Sequence, residues 1–114
     1  MSGNEAALEV YQTGPLTVVG FGGREILDQI DLSSCHKQLI DLVEQHSCQT
    51  LAFDLTGVKL IPSGMLGLIT SLRNKKVDVH LYNPSEDVQE VLEVTKLNQV
   101  LQVHHIEVPR GGAN

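Results

Sequence analysis

One stretch, residues 51–73 (LAFDLTGVKLIPSGMLGLITSLR), constrains what this chain can fold into more than any other. It opens with a nearly continuous apolar run, Leu51–Leu55, which is typical of a strand covered on both faces. Pro62 disfavours a helical conformation at Ile61, so the residues around them form a loop. From Met65 onward the apolar residues recur at helical spacing. The stretch therefore predicts a central strand, a loop and a helix.

The loop of this unit presents a hydroxyl where function is often found. Ser63 stands where an N-cap is expected, and its side chain can accept a hydrogen bond from a free amide of the first turn. It also lies beyond the carboxyl end of a central strand, at the positive end of a helix, where open α/β sheets usually build their sites. A capping serine without any further role has the same sequence, so position alone leaves both interpretations open.

The same residues resemble the central motif of the STAS family, named for sulphate transporters and anti-sigma factor antagonists. That motif runs approximately D-L-S-x-V-x-x-I-D-S-S-G-L-G. Here it reads Asp54–Val58 (DLTGV), Leu60–Ser63 (LIPS) and Leu66-Gly67. In the order and spacing of elements, the resemblance extends from about Leu8 to about Val108.

The resemblance implies a function and a site. The residue phosphorylated in anti-sigma factor antagonists falls on Ser63, and the implied partner is an anti-sigma factor with serine kinase activity. A phosphate adds about −1.5 to −2 charge at the helix amino end, which would act as a switch on binding. Pro62 replaces the family's Asp, Gly64 its second small residue and Met65 its Gly. The implied partner-binding residues are Asp54, Pro62, Ser63, Gly64, Met65 and Leu66.

Two parts of this site have alternative interpretations. The helix after Ser63 is apolar nearly all round, and one helix cannot bury every side. Met65, Leu66 and Leu68 are therefore either core residues, as helical apolar residues usually are, or a partly exposed apolar docking patch beside Ser63. Asp54 is either a charged group of the binding surface or a polar residue that closes the strand and bonds the loop backbone.

The rest of the chain predicts an α/β domain. The pattern predicts an opening β-hairpin over residues 6–12 and 16–21. The pattern over residues 24–30 is ambiguous, and a third short strand is one interpretation. A helix follows Asp31 and runs to about His46, and a strand covers 77–82. A second helix start follows, with Asn83 as the cap and an inner face of Val88, Val91, Leu92 and Thr95. A last strand covers 103–108.

This alternation of strands and helices implies crossover connections and a mostly parallel sheet with helices packed against it. It agrees with the STAS fold that the resemblance implies. The chain has 114 residues, enough for one domain. We assign that domain to residues 6–108, with a disordered N-terminus over 1–5 and a loose tail over 109–114.

Composition limits the partners. The net charge of −6 disfavours nucleic acid, and aromatic residues make up only 4%, which argues for an aliphatic core and against base stacking. Cys35 and Cys48 bracket a predicted helix, so a disulfide between them is not expected. Two free thiols and the absence of a signal peptide or an apolar run of about 20 residues suggest a cytoplasmic protein without a membrane span.

No catalytic or metal-binding arrangement emerges from the five histidines, and no cofactor is expected. Three functions stay open. The first is a regulatory binding protein resembling anti-sigma factor antagonists and possessing no enzymatic activity. The second keeps the fold as a constitutive scaffold or subunit of a stress-signalling or lipid-transport assembly, which Pro62 and Gly64 favour. The third is a small hydrolase or ligand-binding enzyme that uses Ser63 or a histidine. Oligomeric state is open, since the hairpin can present an edge.

Overall fold

The structure is a computed structural model, and it describes residues 8–21, 25, 27 and 31–105. This part of the chain folds into one sheet with helices between its parallel strands. The strands are β1 (Glu9–Gln12), β2 (Leu16–Gly20), β3 (Thr50–Asp54), β4 (Asp78–Tyr82) and β5 (Gln102–His104). The helices are α1 (Leu32–Gln45), α2 (Ser63–Ser71) and α3 (Glu86–Val94), with 3-10 turns at Leu72–Lys75 and Leu97–Gln99.

The five strands lie in the sheet in the order of the sequence, β1 to β5. β1 is antiparallel to β2, while β2, β3, β4 and β5 are all parallel. The predicted mixed sheet with an opening hairpin is therefore confirmed. Because each crossover moves one strand further in the same direction, right-handed connections place α1, α2 and α3 on the same face of the sheet. The opposite face receives no helix from the described residues.

Most of the side chains buried along the strands are those that face the helices. Val19, Leu51, Phe53 and Leu81 point towards the helices and have no exposed surface. Their neighbours along each strand point to the opposite face, because successive side chains of a strand alternate. Phe21 packs against Phe53 with ring centroids 6.2 Å apart, and most other core residues are aliphatic. The low aromatic content thus yields a core of interlocking Leu, Val and Ile side chains.

The helix starts differ in how well the sequence predicted them. Asp31 caps α1, accepting hydrogen bonds from the amides of Ser33 and Ser34, as expected. Asn83 does not cap α3, because its φ of 59° lies in the left-handed region and the helix begins three residues later. Ser85 is the cap instead, with its Oγ 3.1 Å from the amide of Val88.

The inner face of α3 is narrower than predicted. Val88 and Leu92 are buried, but Val91 is 40% exposed and Thr95 is exposed. The prediction for Val91 and Thr95 is wrong, because α3 buries only the narrow side that carries Val88 and Leu92. Both cysteines are buried free thiols, and burial raises the pKa of Cys35 to about 11.

Some predictions fall outside the described residues. They concern the disordered N-terminus, the tail over 109–114, residues 106–108 of the last strand and most of the ambiguous segment 24–30. Among the described helices, none has the length and apolarity that crossing a membrane requires.

Candidate functional site

The loop between β3 and α2, residues 55–62, is held by backbone hydrogen bonds near both of its ends. The Leu55 amide donates to the carbonyl of Tyr82 at 2.9 Å, and the Leu60 carbonyl accepts from the amide of Leu27 at 3.2 Å. Gly57 turns the chain with a φ of 86°, a conformation that suits glycine. Val58 is buried beneath the loop. The loop is thus a rigid support for the start of α2.

Ser63 is the first residue of α2 and not its cap. The cap is Pro62, whose extended backbone (φ −63°, ψ 154°) leaves its carbonyl to accept from the amides of Met65 and Leu66 at 3.0 and 3.1 Å. The prediction that Ser63 caps the helix is therefore wrong, because the fixed φ of proline already supplies the extended residue. Ser63 is exposed, and no other described side chain or backbone group hydrogen-bonds with its hydroxyl.

Of the two interpretations of Met65, Leu66 and Leu68, the place in the core is confirmed and the apolar docking patch is wrong. Met65 has no exposed surface, Leu66 is 3% exposed and Leu68 is 9% exposed. All three belong to the hydrophobic core, because α2 packs against α1 as well as the sheet and is covered on more than one side. Their side chains belong to the same core cluster as Leu55 and Val58 of the loop and are not available to a partner in this structure.

Small residues form the exposed side of α2. This α2 strip consists of Ser63, Gly64, Gly67 and Ser71. Three of its members are spaced four residues apart, so they lie one above another along the helix. A Cβ added at Gly67 would meet nothing within 4 Å, whereas one at Gly64 would come within 2.9 Å of Leu32 Cδ1. The helix backbone is therefore open to close approach at Gly67, whereas Leu32 already packs against it at Gly64.

Apolar side chains flank the α2 strip. Leu60, in the loop, is 48% exposed, and Leu32, at the start of α1, is 38% exposed. An open groove of about 310 Å³ runs between α1 and α2 beside the strip, lined by Leu32, Ser33, His36, Gly64, Leu68 and Ser71. A flat helix face of small residues between exposed leucines is suited to contact with another protein.

Of the two predicted roles of Asp54, the structure shows the one in which it closes the strand and bonds the loop backbone. Its Oδ1 accepts from the amide of Thr56 at 3.0 Å and from Thr56 Oγ1 at 2.6 Å, and Asn83 Nδ2 donates to the same Thr56 hydroxyl at 3.3 Å. The carboxylate thus closes β3 and bonds the loop. Within the described residues no hydrogen bond or ion pair joins Asp54 to Ser63.

Ser85 supports the same loop, and the sequence analysis missed it. Its hydroxyl donates to the Lys59 carbonyl at 3.1 Å while capping α3, so one side chain ties α3 to the β3–α2 loop. The signal was present, since Ser85 directly precedes Glu86 and Asp87, two acidic residues of a helix first turn. The stronger Asn-Pro pattern two residues earlier obscured it.

Two histidines and a tyrosine meet on the helix-free face of the sheet, an arrangement that the sequence did not predict. His80 Nδ1 and His104 Nε2 are 2.8 Å apart. The ring centroids are 5.0 Å apart and the planes differ by 3°, so the rings share a plane and meet edge to edge. Tyr82 lies beside His104 with centroids 4.6 Å apart. One of the two facing nitrogens must donate its N–H to the other. The facing nitrogens therefore hold one proton between them more readily than one proton each.

This pair predicts a pH effect on stability. Burial and the neighbouring His104 lower the pKa of His80 below 6.5, and Asp78 only partly opposes them. Protonation of His80 therefore favours the unfolded chain, and the stability should be complete above about pH 6.5 and fall as the pH drops through the folded pKa. The free energy of unfolding of wild type and His80→Gln can be measured with urea at about pH 7.5 and 5.0. The variant should lose less of this stability between the two pH values than the wild type does.

The matched control for this experiment is His36→Gln, because His36 is exposed on α1 and away from the pair. It should lose as much stability on acidification as the wild type. If the stability of His80→Gln has the same pH dependence as that of the wild type and His36→Gln, the prediction that protonation of His80 destabilises the fold is wrong.

The fold and the loop can now be compared with known proteins. The family model for the STAS domain matches residues 7–107. The chain therefore belongs to the STAS domain family. No curated protein sequence matches it significantly.

Solved structures share the fold. The anti-sigma factor antagonist SpoIIAA, in its unphosphorylated form, superposes with a TM-score of 0.72 at 16% identity, covering 85% of this chain and 87% of SpoIIAA. TM1081 of Thermotoga maritima, a candidate anti-sigma factor antagonist, gives a TM-score of 0.68 at 17% identity, covering 85% of both chains. Its NMR structure gives 0.67 at 15% identity, covering 92% and 85%. At these identities the similarity establishes the shared fold.

Proposed function

We propose that this protein is a regulatory binding protein that works as anti-sigma factor antagonists do. A protein partner docks on the α2 strip and the β3–α2 loop, and phosphorylation of Ser63 releases it. The partner is an anti-sigma factor with serine kinase activity. The observation that carries the proposal is the exposed Ser63 hydroxyl on the first turn of α2, free of described hydrogen-bond partners, at the position that the STAS motif assigns to modification.

The proposed chemistry suits the start of α2. The Ser63 hydroxyl oxygen attacks the γ-phosphorus of ATP, its proton passes to a base of the kinase, and the bond to the ADP oxygen breaks. The product places about two negative charges at a helix N-terminus, where unpaired amides and the helix dipole favour an anion. The fold therefore tolerates the phosphate. A partner that had covered the hydroxyl with apolar or acidic groups would be repelled.

The site differs from the STAS motif beside the hydroxyl. Pro62 offers no carboxylate to a partner or kinase, and with the exposed Leu60 it gives the approach to Ser63 an apolar character. Its fixed φ holds Ser63 in one position, which lowers the entropy lost on docking. In this proposal Met65 and Leu66 act through packing, and Asp54 acts by bonding the loop.

The test is affinity capture from a lysate of the source organism with three immobilised baits, wild type, Ser63→Ala and Ser63→Asp. Wild type and Ser63→Ala should capture the same kinase-like protein. Ser63→Asp should bind it about tenfold more weakly, a difference of about 1.4 kcal/mol. Ser47→Asp is the matched control. Ser47 is exposed in the turn between α1 and β3, at the end of β3 opposite to the β3–α2 loop, so this variant should bind as wild type does.

The second candidate is a constitutive STAS scaffold or subunit without a switch. Pro62 favours it, because the acidic neighbour of the modified residue is absent. In the same experiment a scaffold would show identical partners on the wild-type and Ser63→Asp baits. Incubation of the captured kinase with ATP and the wild type, followed by mass spectrometry of the peptide containing Ser63, decides between the two candidates.

A further inference from the structure

The helix-free side of the sheet has a distinct surface. We call it the open face and define it by Tyr11, Asp54, Asp78, His80, Tyr82 and His104. The ladder pairs Asp54 with Tyr82 and Tyr82 with His104, so these three residues form one row across three strands. Asp78 and His80 lie on the same side of β4 as Tyr82, because they are four and two residues away from it, respectively.

Tyr11 extends this row over the edge of the sheet. Gly20 pairs with Asp54, and a Cβ at Gly20 would collide with the Tyr11 ring, so that ring lies directly over Gly20. Tyr11 is 54% exposed. Burial raises the pKa of its hydroxyl, and the carboxylates of Glu9 and Asp54 raise it further. The aromatic row therefore reaches from β5 to β1 across a glycine and an acidic residue.

The charge of the open face has one sign. Its fixed charges are Asp54 and Asp78, with Glu9 beside them on β1. None of the five described strands contains a lysine or an arginine. In the part of the chain that the structure describes, the basic residues lie in helices, 3-10 turns and loops: Lys37, Lys59, Arg73, Lys75, Lys76 and Lys96. The open face is thus an acidic and aromatic surface.

We propose that the open face is a second docking surface, for an arginine-containing basic segment of a partner protein. Charge complementarity selects the cationic partner. The aromatic row selects arginine over lysine, because a guanidinium plane stacks on tyrosine and imidazole rings while it donates to carboxylates in a forked geometry. Nucleic acid and anionic lipid carry the same sign as this surface and are repelled.

This surface is separate from the one that carries the proposed function. The α2 strip lies on the helix side of the sheet, and the open face lies on the opposite side. The partner of one surface can therefore bind while the other is occupied. Asp54 bonds the β3–α2 loop through Oδ1, and its second carboxylate oxygen, Oδ2, has no described hydrogen bond and can accept one from a partner on the open face.

The probes for this proposal are two acetylated, amidated hexapeptides, one of arginine and one of lysine, titrated into the ¹⁵N-labelled protein at about 0.15 M ionic strength. The arginine peptide should shift the backbone amides of residues 54, 78–82 and 102–104 saturably. The lysine peptide should bind about two- to fivefold more weakly, as expected for the loss of stacking at an exposed site. Ser63→Asp should leave both titrations unchanged, which separates this proposal from the phosphorylation switch.

Two variants with the same change of charge control for general attraction to an acidic protein. Asp78→Asn, on the open face, should weaken arginine-peptide binding severalfold, whereas Asp87→Asn, exposed on α3, should not. Tyr82→Leu should reduce the preference for arginine. The proposal is overturned if the two peptides bind equally, if the shifts centre on the acidic residues of α3, or if no saturable shift occurs. A dispersed spectrum of each free variant confirms that it is folded.

Discussion

Met65→Ala should lower the free energy of unfolding by about 2–5 kcal/mol, because Met65 has no exposed surface and its truncation leaves a cavity between α2 and the rest of the core. A domain of this size has a total stability of about 5–15 kcal/mol, so the variant loses a large share of it. The measurement is urea unfolding followed by circular dichroism, with the midpoint compared at an unchanged slope. The result bears directly on whether α2 is a buried element or an exposed docking helix.

Gly67→Ala is the matched control for this prediction, two residues further along the same helix. An added Cβ meets nothing within 4 Å at Gly67, and alanine lowers the entropy of the unfolded chain. This variant should therefore gain about 0.5–1 kcal/mol. A loss of less than about 1 kcal/mol in Met65→Ala would contradict the packing of α2 described above.

Gly67→Gln should abolish most partner binding while the protein stays folded. Gly67 lies one helical turn beyond Ser63 on the α2 strip, and glutamine is a good helix former that would project from a surface where the backbone is now open. If a partner docks closely on the strip, the side chain holds it away. The expected loss is about thirtyfold in affinity, or about 2 kcal/mol, the scale of an interface hot spot.

The measurement is isothermal titration of the partner captured by the wild-type bait. Val94→Gln serves as the control, because Val94 is 75% exposed on α3 and tolerates the same new side chain outside the α2 strip. That variant should bind as wild type does. Equal affinity of Gly67→Gln and the wild type would place the partner elsewhere on the molecule and remove the basis for a switch at Ser63.

Much of the fold could be predicted from the sequence because its signals are local. The apolar run Leu51–Leu55, the break at Pro62 and the helical spacing after Met65 each depend on a few neighbouring residues. The structure confirms β3, the loop and α2, as well as the alternation that makes the sheet mostly parallel. The STAS motif added the position of the candidate site, since Ser63 alone is indistinguishable from an ordinary helix-start serine.

The sequence was wrong where the answer depends on what packs against an element. Helical spacing identified α2 but could not show that α1 and the sheet cover Met65, Leu66 and Leu68 together. It identified a helix start near Pro62 but assigned the cap to Ser63, because a hydroxyl is the usual capping group. The dihedral angles of the folded chain give that place to Pro62 and leave the hydroxyl exposed.

By itself, then, the sequence determined the succession of strands and helices, the aliphatic core and the position of the candidate site at Ser63. The tertiary structure decided which surfaces are available. Sequential strand order with crossovers of one hand brought α1, α2 and α3 to the same side of the sheet, which buried the apolar residues of α2 and left the opposite side without a helix from the described residues. On that open side His80 and His104 meet although 24 residues separate them, because sheet register, and not local pattern, brings their strands together.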